Sequence, residues 1–193
     1  MTKSDRPGMR NSNGPDRRPA KRTSAGGGPK GGPRGKANDQ RRKRSTARMH
    51  AVQAVYQLEL NDSQPANVIS EFQAHRLGHD LDGEPVVSAD RDFFQDLVVG
   101  ATDRRLELDR LVERSLSLDY TMDRLETLLR ALLRVAAYEM MARVDVPARV
   151  VIDEYVDLGF AFFSGGEPTL INAVLDRMAR EIRAGEMQER GRR

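Results

Sequence analysis

The sequence predicts an all-helical domain of six or seven helices behind a disordered, basic N-terminal tail. Three observations carry that expectation. From Ser45 onward, apolar residues recur at the three- and four-residue spacing of a single helix face. Proline and glycine fall where helices begin and end, at Pro65, Pro147, Gly165-Gly166 and Pro168. Residues 1–40 hold eight glycines and five prolines, and no Leu, Ile, Val or aromatic residue. Such a segment cannot bury enough apolar surface to offset its conformational entropy.

The first helix carries Val52, Val55, Tyr56 and Leu60 on one stripe. A second opens at Pro65 and buries Val68, Ile69 and Phe72. Residues 77–88 mix Gly, Asp, Pro and charge, and read as a loop. Ser88 is placed to cap the next helix, with Asp90 near its positive end, and that helix carries Phe93, Phe94, Leu97, Val98 and Ala101. After a break near Gly100 to Arg105, Leu108, Leu111, Val112 and Leu116 form another stripe. The strongest pattern runs over 121–143, where Leu125, Leu128, Leu129, Leu132, Leu133, Ala136 and Met140 crowd one broad face. Pro147 begins a helix bearing Val150, Val151, Glu154, Tyr155, Leu158 and Phe162. Arg149 to Ile152 alone fits a strand, but it lies inside a longer helical period with no partner strand. Pro168 starts a last helix with Leu170, Ile171, Val174, Leu175, Met178 and Ile182, and residues 186–193 read as a flexible end.

Composition narrows the chemistry. The 193 residues are 38% hydrophobic and 32% charged, without cysteine, which excludes a disulfide scaffold, a thiolate metal site and a cysteine nucleophile. Apolar runs fall far short of the ~20 residues of a membrane span, and no signal-type apolar region follows the basic start. The expected location is cytoplasmic, with no membrane partner. A net charge of +3 conceals an asymmetry: residues 1–44 carry a net +11, with all five lysines, and residues 45–193 a net −8. Separation of this kind points to a polyanionic partner for the basic end.

No enzyme constellation emerges. The Gly-rich stretch Gly26 to Lys36 fails as a phosphate loop, because Lys30 stands where the first glycine belongs and Ala37 where Ser or Thr belongs. His75 and His79, with Asp80 and Asp82, have one metal-like spacing, but Gly78 and Gly83 interrupt it and no third ligand is fixed elsewhere, so no metal or other cofactor is expected. His50 reads as a surface or RNA-facing residue, and Asp153 and Glu154 as surface charges. The run Arg41-Arg42-Lys43-Arg44, continued by Arg48, leads directly into an amphipathic helix and fits an arginine-rich segment that orders on RNA or DNA; without a helix-turn-helix, homeodomain or zinc-finger pattern, single-stranded RNA fits better than duplex DNA. A solubilising tail on a protein-interaction helical module is the alternative. Phe162, before a glycine turn, is a candidate for base stacking.

Four collinear stretches then resemble the NusB family of transcription antitermination factors. They are Arg48-Met49-His50-Ala51-Val52-Gln53-Ala54-Val55-Tyr56, Leu133-Arg134-Val135-Ala136-Ala137-Tyr138-Glu139, Asp145-Val146-Pro147 with Val151-Ile152-Asp153-Glu154, and Asn172-Ala173-Val174-Leu175-Asp176-Arg177. The resemblance implies one domain over 41–185, all-α, about seven helices in two small packed bundles. It also implies a non-enzymatic function, binding single-stranded boxA RNA of ribosomal RNA leader transcripts together with the ribosomal protein NusE. The pair would link nascent RNA to the RNA polymerase elongation complex and its other Nus factors, and suppress Rho-dependent termination. By the same resemblance Arg41, Arg42, Lys43, Arg44, Arg48, Phe162 and Thr169 are RNA-binding positions, and Tyr56 and Leu129 face the partner. Ser45 and Thr46 stand where some members carry arginine, Thr169 where many carry lysine, Leu170 where many carry phenylalanine, and Leu129 where an acidic residue is common.

Overall fold

The structure, a computed structural model, describes residues 33–61, 63–78 and 88–188. The described residues form eight α-helices and one 3₁₀ turn, with no strand: α1 (Pro33–Leu60), α2 (Pro65–His75), α3 (Arg91–Asp103), α4 (Arg105–Ser115), α5 (Thr127–Ala142), α6 (Ala148–Phe162), α7 (Glu167–Ile182) and α8 (Ala184–Gln188). The 3₁₀ turn, Met122–Arg124, precedes α5.

The all-helical expectation holds, and the departures from it have local causes. The first helix begins at Pro33, ahead of the expected boundary at 41; proline suits a first helical position, and contacts from Asp39, Gln40 and Arg41 sustain the added turns. Residues 1–32 lie outside the described residues, as do 189–193 and 79–87, which include His79, Asp80 and Asp82. Asp90, rather than Ser88, caps α3: its carboxylate accepts the Phe93 N–H at 3.1 Å. Gly100 continues α3, and the break reduces to Arg104. The α5 helix is shorter than expected because Leu125 is extended and buried ahead of it. The short α8 had no sequence signal.

Buried on most of its circumference, α5 is the shared centre. On one side it packs with α1 and α3, and α2 covers that pair; on the other it packs with α4, α6 and α7. Two glycines permit the closest approaches. A Cβ at Gly100 would lie 1.9 Å from the Tyr138 ring, so α3 meets α5 there only without a side chain. At Gly159 it would lie 2.7 Å from Ile171 Cδ1, so a side chain there would require the Ile171 side chain to move as α6 meets α7.

Polar clamps tie the helices together. The buried Arg134 of α5 pairs with Glu59 of α1 and Asp109 of α4. Arg183 donates to the carbonyls of Met140 at 2.7 Å and Arg143 at 2.8 Å, acceptors that α5 leaves open at its end, and to that of Val146 at 2.6 Å in the turn before α6. Glu186 accepts the Ala148 N–H at 2.8 Å, at the start of α6.

Candidate nucleic-acid interface

The basic run lies on the opening turns of α1, and helical phase divides its five cations. At 3.6 residues per turn, Arg48 falls on the same stripe as Val52 and Val55, facing the core. It is 2% exposed. Its guanidinium meets Glu139 of α5 through Nε (2.9 Å) and Nη2 (2.5 Å), and Glu154 of α6 through Nη1 (3.3 Å). Burial works against its charge, but the hydrogen bonds and charge of Glu139 outweigh that and hold it above the ordinary arginine value. The Tyr155 hydroxyl donates to Glu139 at 2.9 Å, and burial, with the Glu139 charge, pushes its pKa well above 10.0. Arg48 is therefore a structural ion-pair residue, which corrects its assignment as an RNA contact.

Arg44 is half-buried. Its nearest carboxylates are Asp145 at 3.5 Å and Asp90 at 3.8 Å, and its guanidinium lies 5.0 Å from the centre of the Phe93 ring. Arg48 and Arg143 approach the same ring at 5.1 Å, so three guanidinia surround one buried aromatic. Lys43, half-exposed, pairs with the exposed Asp39 one turn back, at 2.9 Å. The side chain of Arg41 is 72% exposed, with Nε 3.5 Å from Glu154. Arg42 is exposed, with no carboxylate within 4.0 Å among the described residues. Arg41 and Arg42, with Asn38, Ser45 and Thr46, line a shallow concavity of about 430 Å³.

Glu154 corrects the reading of a surface charge. It is 8% exposed, and Ser45 Oγ donates to it at 2.5 Å. Sequence reasoning overlooked Glu139 and Glu154 as partners of Arg48, although a signal was present. Glu154 sits among Val151, Tyr155 and Leu158 on a buried stripe, where a carboxylate needs an opposite charge.

The other predicted positions divide as well. Phe162 is the last residue of α6, half-buried, edge-to-face with Phe163 at 6.5 Å between centroids. Eight residues beyond Glu154, it lies roughly 12 Å farther along the α6 axis. Thr169 is exposed in the first turn of α7, and the close α6–α7 packing at Gly159 brings it to the same end of the pair. Leu129 is 3% exposed, within the core, so it offers a partner no surface: an apolar side chain at this phase of α5 is drawn inward. Tyr56 is half-buried against the core. His50 is half-buried, edge-on to Phe72 at 6.0 Å, and burial lowers its pKa. Among the described residues no three His, Cys, Asp or Glu side chains gather as a metal site, and no helix is long and apolar enough to cross a membrane.

The NusB family model matches residues 45–180. The chain belongs to the NusB family. Among its relatives, the transcription antitermination protein NusB of Bartonella tribocorum is 45% identical over 141 residues, covering 73% of this chain and 90% of that protein. The NusB of Sinorhizobium fredii is 43% identical over 144 residues, covering 75% and 90%. Solved structures show the same fold: "T. maritima NusB" has a TM-score of 0.61 at 22% identity, covering 75% of this chain and 96% of that one. A complex of the antitermination factors NusB and NusE with double-stranded RNA contains a chain with a TM-score of 0.59 at 22% identity, covering 71% and 96%. Arg41 to Arg44 precede the stretch that the NusB family model matches.

Proposed function

We propose that this NusB-family chain is a cytoplasmic transcription antitermination factor that binds boxA-type single-stranded RNA of ribosomal RNA leader transcripts jointly with NusE. The pair links the nascent transcript to the RNA polymerase elongation complex with its other Nus factors and suppresses Rho-dependent termination. The observation that carries the RNA reading is the outward face of α1, where Arg42 is exposed and unpaired among the described residues, between the exposed Arg41 and the half-exposed Lys43. Phosphates bind along Arg42 and Lys43 and set the strand's course, while the exposed part of Phe162 offers a stacking face and Thr169 a hydroxyl at the far end of α6. Tyr56 is the surviving candidate for contact with the protein partner. Its ring is held by the core, so only its half-exposed edge is offered.

The test is fluorescence anisotropy of the full chain with labelled boxA RNA and a scrambled control, with and without NusE. Expected are tighter binding to boxA, a further gain with NusE, and log affinity falling with log salt at a slope of about −1.4 or steeper, the equivalent of two phosphates on a single strand. A flat salt response, or equal binding of both RNAs with and without NusE, would sink the reading in favour of a protein-interaction module with a solubilising tail.

A further inference from the structure

Arg41 and Lys43 each stand beside a carboxylate, but the two pairs differ in kind. Asp39, beside Lys43, is 58% exposed, so water readily takes the lysine's place. The Glu154 side chain beside Arg41 is only 9% exposed. The charges around it also fall short: among the described residues Arg48 is the one buried cation touching both Glu139 and Glu154, and its shortest contacts go to Glu139. Two carboxylates share one buried guanidinium, so one negative charge is left for Arg41 to balance from the surface.

We propose that Glu154 is a positioning residue that withholds Arg41 from RNA and thereby limits the affinity of the α1 cation track, leaving Arg42 and Lys43 as its phosphate contacts. This rests on the RNA reading above. To give its charge to a phosphate, Arg41 would have to leave a desolvated carboxylate uncompensated, and the incoming phosphate would itself be repelled by Glu154. Arg42, on the next position around the helix, has no such debt. Ser45 strengthens the arrangement, since its hydroxyl holds the Glu154 carboxylate against α1.

The test compares salt slopes of binding of the full chain to labelled boxA RNA for the wild type, Arg41→Ala, Arg42→Ala, Glu154→Gln and the Arg41→Ala/Glu154→Gln double variant. Arg42→Ala flattens the slope by about 0.7, one phosphate's worth, whereas Arg41→Ala leaves it at the wild-type value. Glu154→Gln steepens it by about 0.7 and tightens binding about fivefold near 0.1 M salt, and adding Arg41→Ala abolishes that gain. A merely structural role for Glu154 would produce no gain for Arg41→Ala to remove. Equal flattening by Arg41→Ala and Arg42→Ala overturns the proposal, and so does a cooperatively melting Glu154→Gln protein with wild-type slope and affinity. If Glu154→Gln does not melt cooperatively, the Arg41→Ala and Arg42→Ala comparison decides alone. Failure of the underlying RNA reading looks different: the wild type itself then shows a flat slope, and the proposal falls with it.

Discussion

Arg42 and Arg48 have the same side chain on the same helix and opposite physical roles. Six residues apart, they are rotated so that one meets water and the other meets Glu139. Removing a partner from a buried pair leaves the other charge unsolvated, so Arg48→Ala is expected to lower stability by about 3–5 kcal/mol in urea denaturation. Arg42→Ala should stay within about 0.5 kcal/mol of wild type while weakening RNA binding. Tyr155 adds a pH dependence. Its folded pKa is raised, so the native state keeps this proton at pH values where the unfolded chain loses it. Its contribution is full below pH 10 and is lost as the pH rises above that value. Thermal melts across this range should show stability falling above about pH 10, and Tyr155→Phe should shrink that fall.

At the level of helices, close approach depends on a few small residues and on end groups being satisfied. Gly100 lets α3 lie against Tyr138, whose hydroxyl reaches Asp96 at 2.9 Å, and Asp96 in turn pairs with Arg143 at 2.9 Å. Gly100→Ala would drive a methyl into the ring and displace this chain of contacts. A loss of about 1–3 kcal/mol is expected, read as a lower melting temperature. Arg143 also lies over Phe93 beside Arg44 and Arg48, so the same displacement should disturb the turn of α1 that carries the basic run.

Over the whole molecule, charge separation matters more than net charge. Residues 1–32 contain eight basic and two acidic residues, so without them the chain's net +3 becomes −3. A net negative body repels RNA at long range even where α1 presents local cations. Deleting residues 1–32 is therefore expected to slow RNA association severalfold at low salt, with the difference shrinking as salt is raised. Dissociation should change little, because the α1 contacts remain. Stopped-flow fluorescence with labelled RNA measures both rates, and unchanged association at low salt would refute the steering role.

Periodicity and punctuation along the chain were enough to place most helices, because an apolar stripe at 3.6-residue spacing and a proline or glycine at its end are local properties. Val68, Ile69 and Phe72 in α2, and Ile171, Val174, Leu175 and Met178 in α7, are buried as their spacing indicates. The presence of a cationic segment was equally legible. Which of its members face outward was not, because the basic run and the carboxylates that answer it are distant in sequence: Arg48 meets Glu139 and Glu154, and Arg44 meets Asp90 and Asp145. Leu129 shows the same division, since spacing put it on the broad apolar face and packing enclosed it there. Local sequence sets the phase and length of a helix, whereas the exposure of a charge depends on what folds against it from elsewhere in the chain.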